Sequence, residues 1–415
     1  MTDPIIVKNL KHNFLVNTID GGFFGFALGF ASFVTTIPLF VATMTDSAVL
    51  IGLIPAIHNV GWQLPQLLTA YSVSQQARYK PMVLKLTLLE RLPFLLLAAI
   101  AWFIPAIGAS VGLTLTYLFL IVQGLGAGVT ATAWQSMIGK IFPAHTRGSF
   151  YGVQAASANL LASISAIAAG LILARMESPE DFTLIFLCAS ASLLISWLFL
   201  AQTREPESQE NVLNVSQAQF WAKTALILKN DRNFIWFLIS RVLGNFGTMA
   251  FAFYTVYAVK IYDVSEAAIG VMTAVYMATQ IITNPLMGWI GDRWSHRGML
   301  VLGMLSVAVS ALLAVFARST AWFFPMFVFA GIGNVAFWTV GLAMILGFGP
   351  PDEKPAYIGL ANTLVAPATI VAPLLAGWIV DIKGYSAAFW VSTIGAILAA
   401  ATLAFFVKDQ QLQKI

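Results

Sequence analysis

Long apolar runs separated by short polar stretches follow one another along the chain. An α-helix needs about 20 apolar residues to cross a bilayer, and twelve runs meet or approach that length: 14–43, 48–72, 82–104, 111–138, 149–174, 182–201, 234–258, 267–290, 299–317, 322–347, 357–380 and 386–407. The runs are continuous, whereas a barrel strand would alternate apolar and polar positions over about ten residues. The pattern predicts an all-α membrane protein of twelve spans. The first run is too long for a signal-peptide core and is expected to be retained. The longest polar stretch, 202–232, divides the chain into a six-span half over 1–201 and another over 233–415. Its acidic start (Glu205, Glu207, Glu210) reads as linker. The stretch from Phe220 to Lys229 has two readings, a helix lying on the inner leaflet or an early start of span 7.

Composition agrees with the pattern. Of 415 residues, 59% are hydrophobic and 10% charged, against about 45–50% and 25% in soluble domains. Twenty-two basic and 18 acidic side chains cannot clothe a water-soluble surface of this size. The single cysteine, Cys188, excludes a disulfide scaffold. Lys and Arg then orient the spans. With the N-terminus in the cytoplasm, the inner side holds Lys8, Lys11, Arg78, Lys80, Lys85, Lys140, Arg147, Arg204, Lys223, Lys229, Arg232, Arg293, Arg297, Lys354, Lys408 and Lys414. The outer side holds Arg175, Lys260, Arg318 and Lys383, and Arg91 and Arg241 fall within spans. Both termini are therefore expected in the cytoplasm of a plasma or bacterial inner membrane. The net charge of +4 reflects this bias and is no nucleic-acid signal.

The two halves repeat. Gly124, Gly126, Pro143, Arg147, Gly152 and Gly170 each have a partner 207 positions on, at Gly331, Gly333, Pro350, Lys354, Gly359 and Gly377. Around the loop after span 2 the offset is 217, pairing Gln63 with Gln280 and Lys80 with Arg297. A duplicated six-helix unit predicts a substrate path between the halves and alternating access by rocking.

The loop after span 8 reads Gly288-Trp289-Ile290-Gly291-Asp292-Arg293-Trp294-Ser295-His296-Arg297. It resembles the major facilitator superfamily's loop motif, Gly-x-x-x-Asp-Arg/Lys-x-Gly-Arg/Lys-Arg/Lys. Independently of that name, glycine permits close packing, Asp292 suits a neighbouring helix N-terminus, and Arg293 and Arg297 suit inner headgroups. The arrangement predicts a conformational latch. The first-half copy is degraded, with Gln75 and Gln76 where Asp292 and Arg293 stand in the second. The loop from Pro143 through Arg147 to Gly152 also resembles the superfamily's connection between helices 4 and 5. Its drug/proton antiporters carry Gly-Pro-x-x-Gly-Gly in helix 5, but here Ser163–Gly170 has no proline. The resemblance implies two pseudo-symmetric six-helix halves and solute transport, with no cofactor.

Ionisable residues inside spans are costly and are functional candidates: Asp20, Glu90, Arg91 and Arg241. In one reading, Asp20 or Glu90 accepts a proton and pairing with Arg tunes its affinity, while Arg241 holds an anionic group or gates the path. In the other, a static pair such as Asp20–Arg91 fixes packing. The superfamily resemblance places span 3 at the periphery, so packing is preferred for Glu90 and Arg91. It places spans 1 and 7 on the cavity, so function is preferred for Asp20 and Arg241. His58 reads first as a packing histidine and second as a proton relay.

Polar residues at helical spacing name faces: Asn59, Gln63 and Gln66 in span 2, Gln123, Thr130 and Trp134 in span 4, Asn245 and Thr248 in span 7, and Tyr276, Gln280 and Asn284 in span 8. Spans 10 and 11 add Asn334, Trp338, Asn362 and Thr369. About half are expected to touch substrate and the rest to join helices. No phosphate-binding glycine loop and no His/Cys metal pattern is present, so neither ATP hydrolysis nor a metal centre is expected. The expected function is secondary transport of a small organic solute, coupled to protons, by a monomer in the bilayer. Phe23, Phe24, Phe26, Phe30, Phe33, Trp134 and Trp338 favour efflux of amphipathic compounds. The Asn and Gln stripes favour uptake of a sugar-like or organic-acid solute. A sensor or assembly protein without flux is the alternative from another class.

Overall fold

The computed structural model of the protein describes residues 4–207 and 216–409, so Glu210 and Lys414 lie outside it. Among the described residues all regular structure is helical. Among the described residues, nine helices are long and apolar enough to cross a membrane by length and composition. The chain is a multi-pass membrane protein of twelve spans, several of them interrupted. Span 1 is Pro4–Phe30 followed by Thr36–Ala42, span 2 Ala48–Gln63 and Gln66–Ser74, and span 3 Lys80–Leu86 and Leu88–Ile107. Spans 4, 5 and 6 are Ala109–Ile141, Arg147–Arg175 and Glu180–Leu200. Span 7 is Arg232–Thr248 and Tyr254–Tyr262, span 8 Glu266–Arg293 and span 9 His296–Val315. Span 10 runs from Phe323–Val335 through a π-turn at Ala336–Val340 to Gly341–Ile345. Span 11 is Lys354–Thr363 and Ala366–Lys383, and span 12 is Tyr385–Phe406.

The interruptions have local causes. The expected continuous run 14–43 breaks after Phe30, where the Ser32 hydroxyl accepts hydrogen bonds from the Val34 and Thr35 N–H groups. A side chain thus takes donors that the helix would have used. Span 2 breaks at Pro65, which lacks an N–H and crowds the preceding turn. The carbonyls of Gln63 and Leu64 instead accept from the Thr363 hydroxyl at 3.1 and 3.2 Å. Residues 220–229 lie in a separate helix, Gln217–Asn230, opened by a Ser216/Gln219 capping box. Asp231 ends it and caps the next helix, its carboxylate accepting from Phe234 N at 2.9 Å.

Two compact units result. One comprises Met1–Pro143, Ser157–Asn214 and Pro350–Thr363, the other Ala144–Ala156, Val215–Gly349 and Leu364–Ile415. The start of span 5 therefore packs within the second unit and the start of span 11 within the first. The first unit's core is aromatic, built on Phe30, Phe40, Phe94, Phe182 and Phe186. Small residues bring its backbones together. A Cβ on Gly25 would overlap the Ala158 backbone, and one on Gly61 would lie 2.6 Å from the Gly124 carbonyl carbon. The second unit is centred on Tyr254, Met326, Phe323 and Phe389.

Candidate functional site

In the first unit, spans 1, 3 and 6 bring Asp20, Arg91 and Ser196 together. Arg91 Nη2 lies 3.4 Å from Asp20 Oδ1, and the Ser196 hydroxyl donates to the same oxygen at 2.5 Å. Arg91 Nη1 donates to Ser196 Oγ at 3.3 Å, and the guanidinium sits 5.4 Å from the Phe24 ring centre. Asp20 and Arg91 are 4% and 7% exposed, so the pair compensates two charges removed from water. Glu90 turns to its own helix and accepts from the Thr87 hydroxyl at 3.3 Å. His58 stacks on Phe33 at 4.0 Å, with Nδ1 3.1 Å from Gln123 Oε1. Asn59, beside it, is exposed.

The amide stripes split between helix joints and half-open positions. Gln66 is a fully buried hub. Its Oε1 accepts from Asn362 Nδ2 at 2.7 Å and Gln135 Nε2 at 3.4 Å, and its Nε2 donates to the Trp62 carbonyl. Gln63 and Asn362 are buried in the same region of the first unit. In the second unit, Asn334 Nδ2 donates to Gln280 Oε1 at 2.9 Å, the Thr339 hydroxyl to Asn284 Oδ1 at 2.6 Å, and the Thr369 hydroxyl to Asn245 Oδ1 at 3.3 Å. Trp134, Tyr276, Asn334 and Trp338 are half-buried. Phe30 and Phe33 belong to the first unit's core and Phe24 and Phe26 pack against it. Much of the aromatic supply of span 1 is therefore structural.

Span 7 places Arg241 in a different setting. It is 4% exposed, its guanidinium lies 5.2 Å from the Phe337 ring centre, and its Nε and Nη1 have no hydrogen-bond partner. No acid lies within ion-pair distance of it among the described residues.

The loop motif of the second unit is well ordered by hydrogen bonds. Asp292 accepts from the backbone N–H groups of Gly148 and Ser149 at 2.8 and 2.6 Å, capping the start of span 5. Burial favours a protonated Asp292, but contacts with His296 and Ser149 outweigh it and hold the carboxyl below its usual value. His296 Nε2 lies 3.3 Å from Asp292 Oδ1. A Cβ on Gly288 or Gly152 would overlap backbone at Gly148 or Asn284. Arg147 Nη1 donates to the Leu346 carbonyl at 2.9 Å, just beyond the Pro143 end of span 4. Arg297 Nη1 donates to the Val407 carbonyl at 2.9 Å, and Arg293 stacks on exposed Trp289 at 4.1 Å.

Three participants escaped sequence reasoning. Ser196 is one hydroxyl among many in the spans. Asp409 accepts from the Ser295 hydroxyl at 2.5 Å. Glu205, read only as linker, accepts from Tyr79 and Lys80 N–H groups at 2.9 and 2.7 Å and lies 3.1 Å from Lys140 Nζ. It places a carboxylate at the start of span 3, just after the degraded loop copy. No cluster of metal-ligating side chains occurs among the described residues.

Comparison with known proteins agrees with this architecture. The chain's relatives include the MFS-type transporter TOXA of Cochliobolus carbonum, 27% identical over 134 residues, 32% of this chain and 24% of that protein. The tetracycline resistance protein, class H, of Pasteurella multocida is 24% identical over 146 residues, 35% of this chain and 36% of that protein. The chain thus spans about a quarter to a third of the length of these curated relatives. The E. coli fucose:proton symporter FucP has the same fold, with a TM-score of 0.77 at 14% identity over 95% of this chain and 98% of that one. The family profile described as Major Facilitator Superfamily matches residues 86–265 and again 245–414. The chain belongs to the Major Facilitator Superfamily, and its twelve-helix layout in two halves is consistent with that family's fold.

Proposed function

We propose that the protein is a proton-coupled secondary transporter that exports a small amphipathic organic solute by alternating access. The observation carrying the coupling is the buried Asp20 carboxylate, held by Arg91 and Ser196 through a single oxygen. A proton on Asp20 would release Arg91, and loss of that proton would recapture it. Protonation is thereby tied to the packing of spans 1, 3 and 6. Exposed Asn59 and half-buried Trp134 within the first unit, and half-buried Tyr276, Asn334 and Trp338 within the second, are each proposed to contact substrate. Export is preferred because a tetracycline resistance protein is among the relatives. The paired amides Gln280 and Asn334 favour a second reading, uptake of a polar solute.

Proteoliposomes with an imposed pH gradient test the coupling. Asp20→Asn should keep the folded protein but lose gradient-driven solute flux at least tenfold. Downhill exchange of the same solute should continue. Unchanged gradient-driven flux in this variant would rule out Asp20 as the coupling group.

A further inference from the structure

Within the second unit, the linker helix Gln217–Asn230, span 7 and the break in span 11 enclose an apolar groove of about 430 Å³. Its lining residues are all Leu, Ile or Val: Leu228 from the linker helix, Ile235 and Ile239 among those from span 7, and Leu364 beside the break. Ile239 and Leu364 are exposed, at 37% and 42%, so the groove is open along one side. Its volume falls within the roughly 300–1,000 Å³ of ligand sites. No lining side chain donates or accepts a hydrogen bond, and none offers a ring for another ring to stack on. Such a wall suits a flexible hydrocarbon chain. The equivalent spans of the first unit, 1 and 5, meet backbone to backbone, where a Cβ on Gly25 would overlap Ala158. Spans 7 and 11 keep the same pairing through Asn245 and Thr369, but part towards Arg232 to leave the groove.

The chemistry changes at that end. Lys229 directly follows groove-lining Leu228, and Arg232 precedes Ile235 and Ile239 on the same face of span 7. Both cations are exposed, and neither forms an ion pair among the described residues. Asp231, between them in sequence, is engaged in capping Phe234 N. The Lys and Arg distribution predicts that this end meets the inner leaflet. We propose that the groove holds one acyl chain of an anionic glycerophospholipid from that leaflet, with its phosphate against Lys229 and Arg232. Burial of methylene groups draws the chain into the aliphatic wall. The two unpaired cations favour a headgroup of net negative charge over a zwitterionic one. Bound in this way, the lipid ties the linker helix to spans 7 and 11, independently of the solute carried.

Native mass spectrometry of the purified full-length protein, titrated with phosphatidylglycerol or phosphatidylcholine of identical acyl chains, tests this. Phosphatidylglycerol should bind tighter by about fivefold or more. The double variant Lys229→Gln/Arg232→Gln should lose that preference, whereas Arg318→Gln, after span 9, should keep it. Equal affinity of the unaltered protein for the two lipids would mark an unselective bilayer contact and overturn the proposal. An undiminished preference in the double variant would overturn it as well. Phosphatidylglycerol with a photoreactive acyl chain locates the hydrocarbon without any substitution. Label on groove residues such as Leu228, Ile239 or Leu364 supports the site, and label confined to other helix faces overturns it.

Discussion

Asp20 and Arg241 lie in the first span of their respective six-span halves, both buried, with opposite charges and opposite surroundings. Around Asp20, span 3 supplies Arg91 and span 6 supplies Ser196. Around Arg241, spans 9 and 12 supply Met304 and Leu403. Leu403 stands 207 positions after Ser196, the offset at which the repeat aligns elsewhere. One copy of the unit thus contains its counter-charge in the chain, while in the other no acid pairs the buried charge among the described residues. The repeat preserves helix packing and loop geometry but leaves the buried electrostatics free to diverge. Backbone contact tolerates few substitutions, whereas a buried charge can be compensated in several ways.

The largest expected effect separates these two sites. Arg91→Met leaves the Asp20 carboxylate buried without its cation and should cost about 3–5 kcal/mol of stability. Arg241→Met removes a buried charge that no acid pairs among the described residues, so the unfolding midpoint should stay level or rise. Comparable losses in both variants would end the contrast. The capping carboxylates come next. Asp292→Ala and Glu205→Ala should each cost about 1–2 kcal/mol, the range of a lost helix cap. A larger loss for Asp292 would show that the second unit's loop is the stronger clamp.

Acid sharpens the same point with a smaller effect. Asp292 has a folded-state affinity for protons below that of an unfolded aspartate, whose pKa is about 3.9. Its stabilisation is therefore complete above about pH 4 and declines as pH falls through the lower folded value. The difference in unfolding midpoint between the unaltered protein and Asp292→Asn should be constant from pH 7 to about 4.5 and shrink below that. A difference that already closes near neutrality would contradict the sign. Smallest of all, Arg293→Ala removes an exposed stacking contact on Trp289 and should change stability by less than about 0.5 kcal/mol.

The spans were legible because membrane insertion depends on local apolar length, a property each segment carries by itself. Only their interruptions were hidden, since Ser32 and Pro65 act through particular hydrogen bonds rather than through hydropathy. The Asp292 cap was legible in part, because the loop spacing pointed to a helix terminus without saying which donors it would meet. Glu205 was missed because a carboxylate in a polar linker has no distinguishing pattern until the chain brings it to Tyr79 and Lys80. The Phe residues of span 1 lean the sequence reading towards efflux of amphipathic compounds, but aromatic composition does not distinguish a core face from an open one.

The sequence by itself determined that this chain crosses a membrane twelve times, that its halves are copies, and which charges lie within the spans. Those properties follow from composition, length and periodicity. Tertiary structure alone decided that Asp20 meets Arg91 and Ser196, that Gln66 gathers Gln135 and Asn362, and that Arg241 meets no acid among the described residues. Each outcome depends on how helices rotate about their axes and which faces they turn to one another. That rotation is set by many weak packing contacts acting together, and no local stretch of sequence contains it.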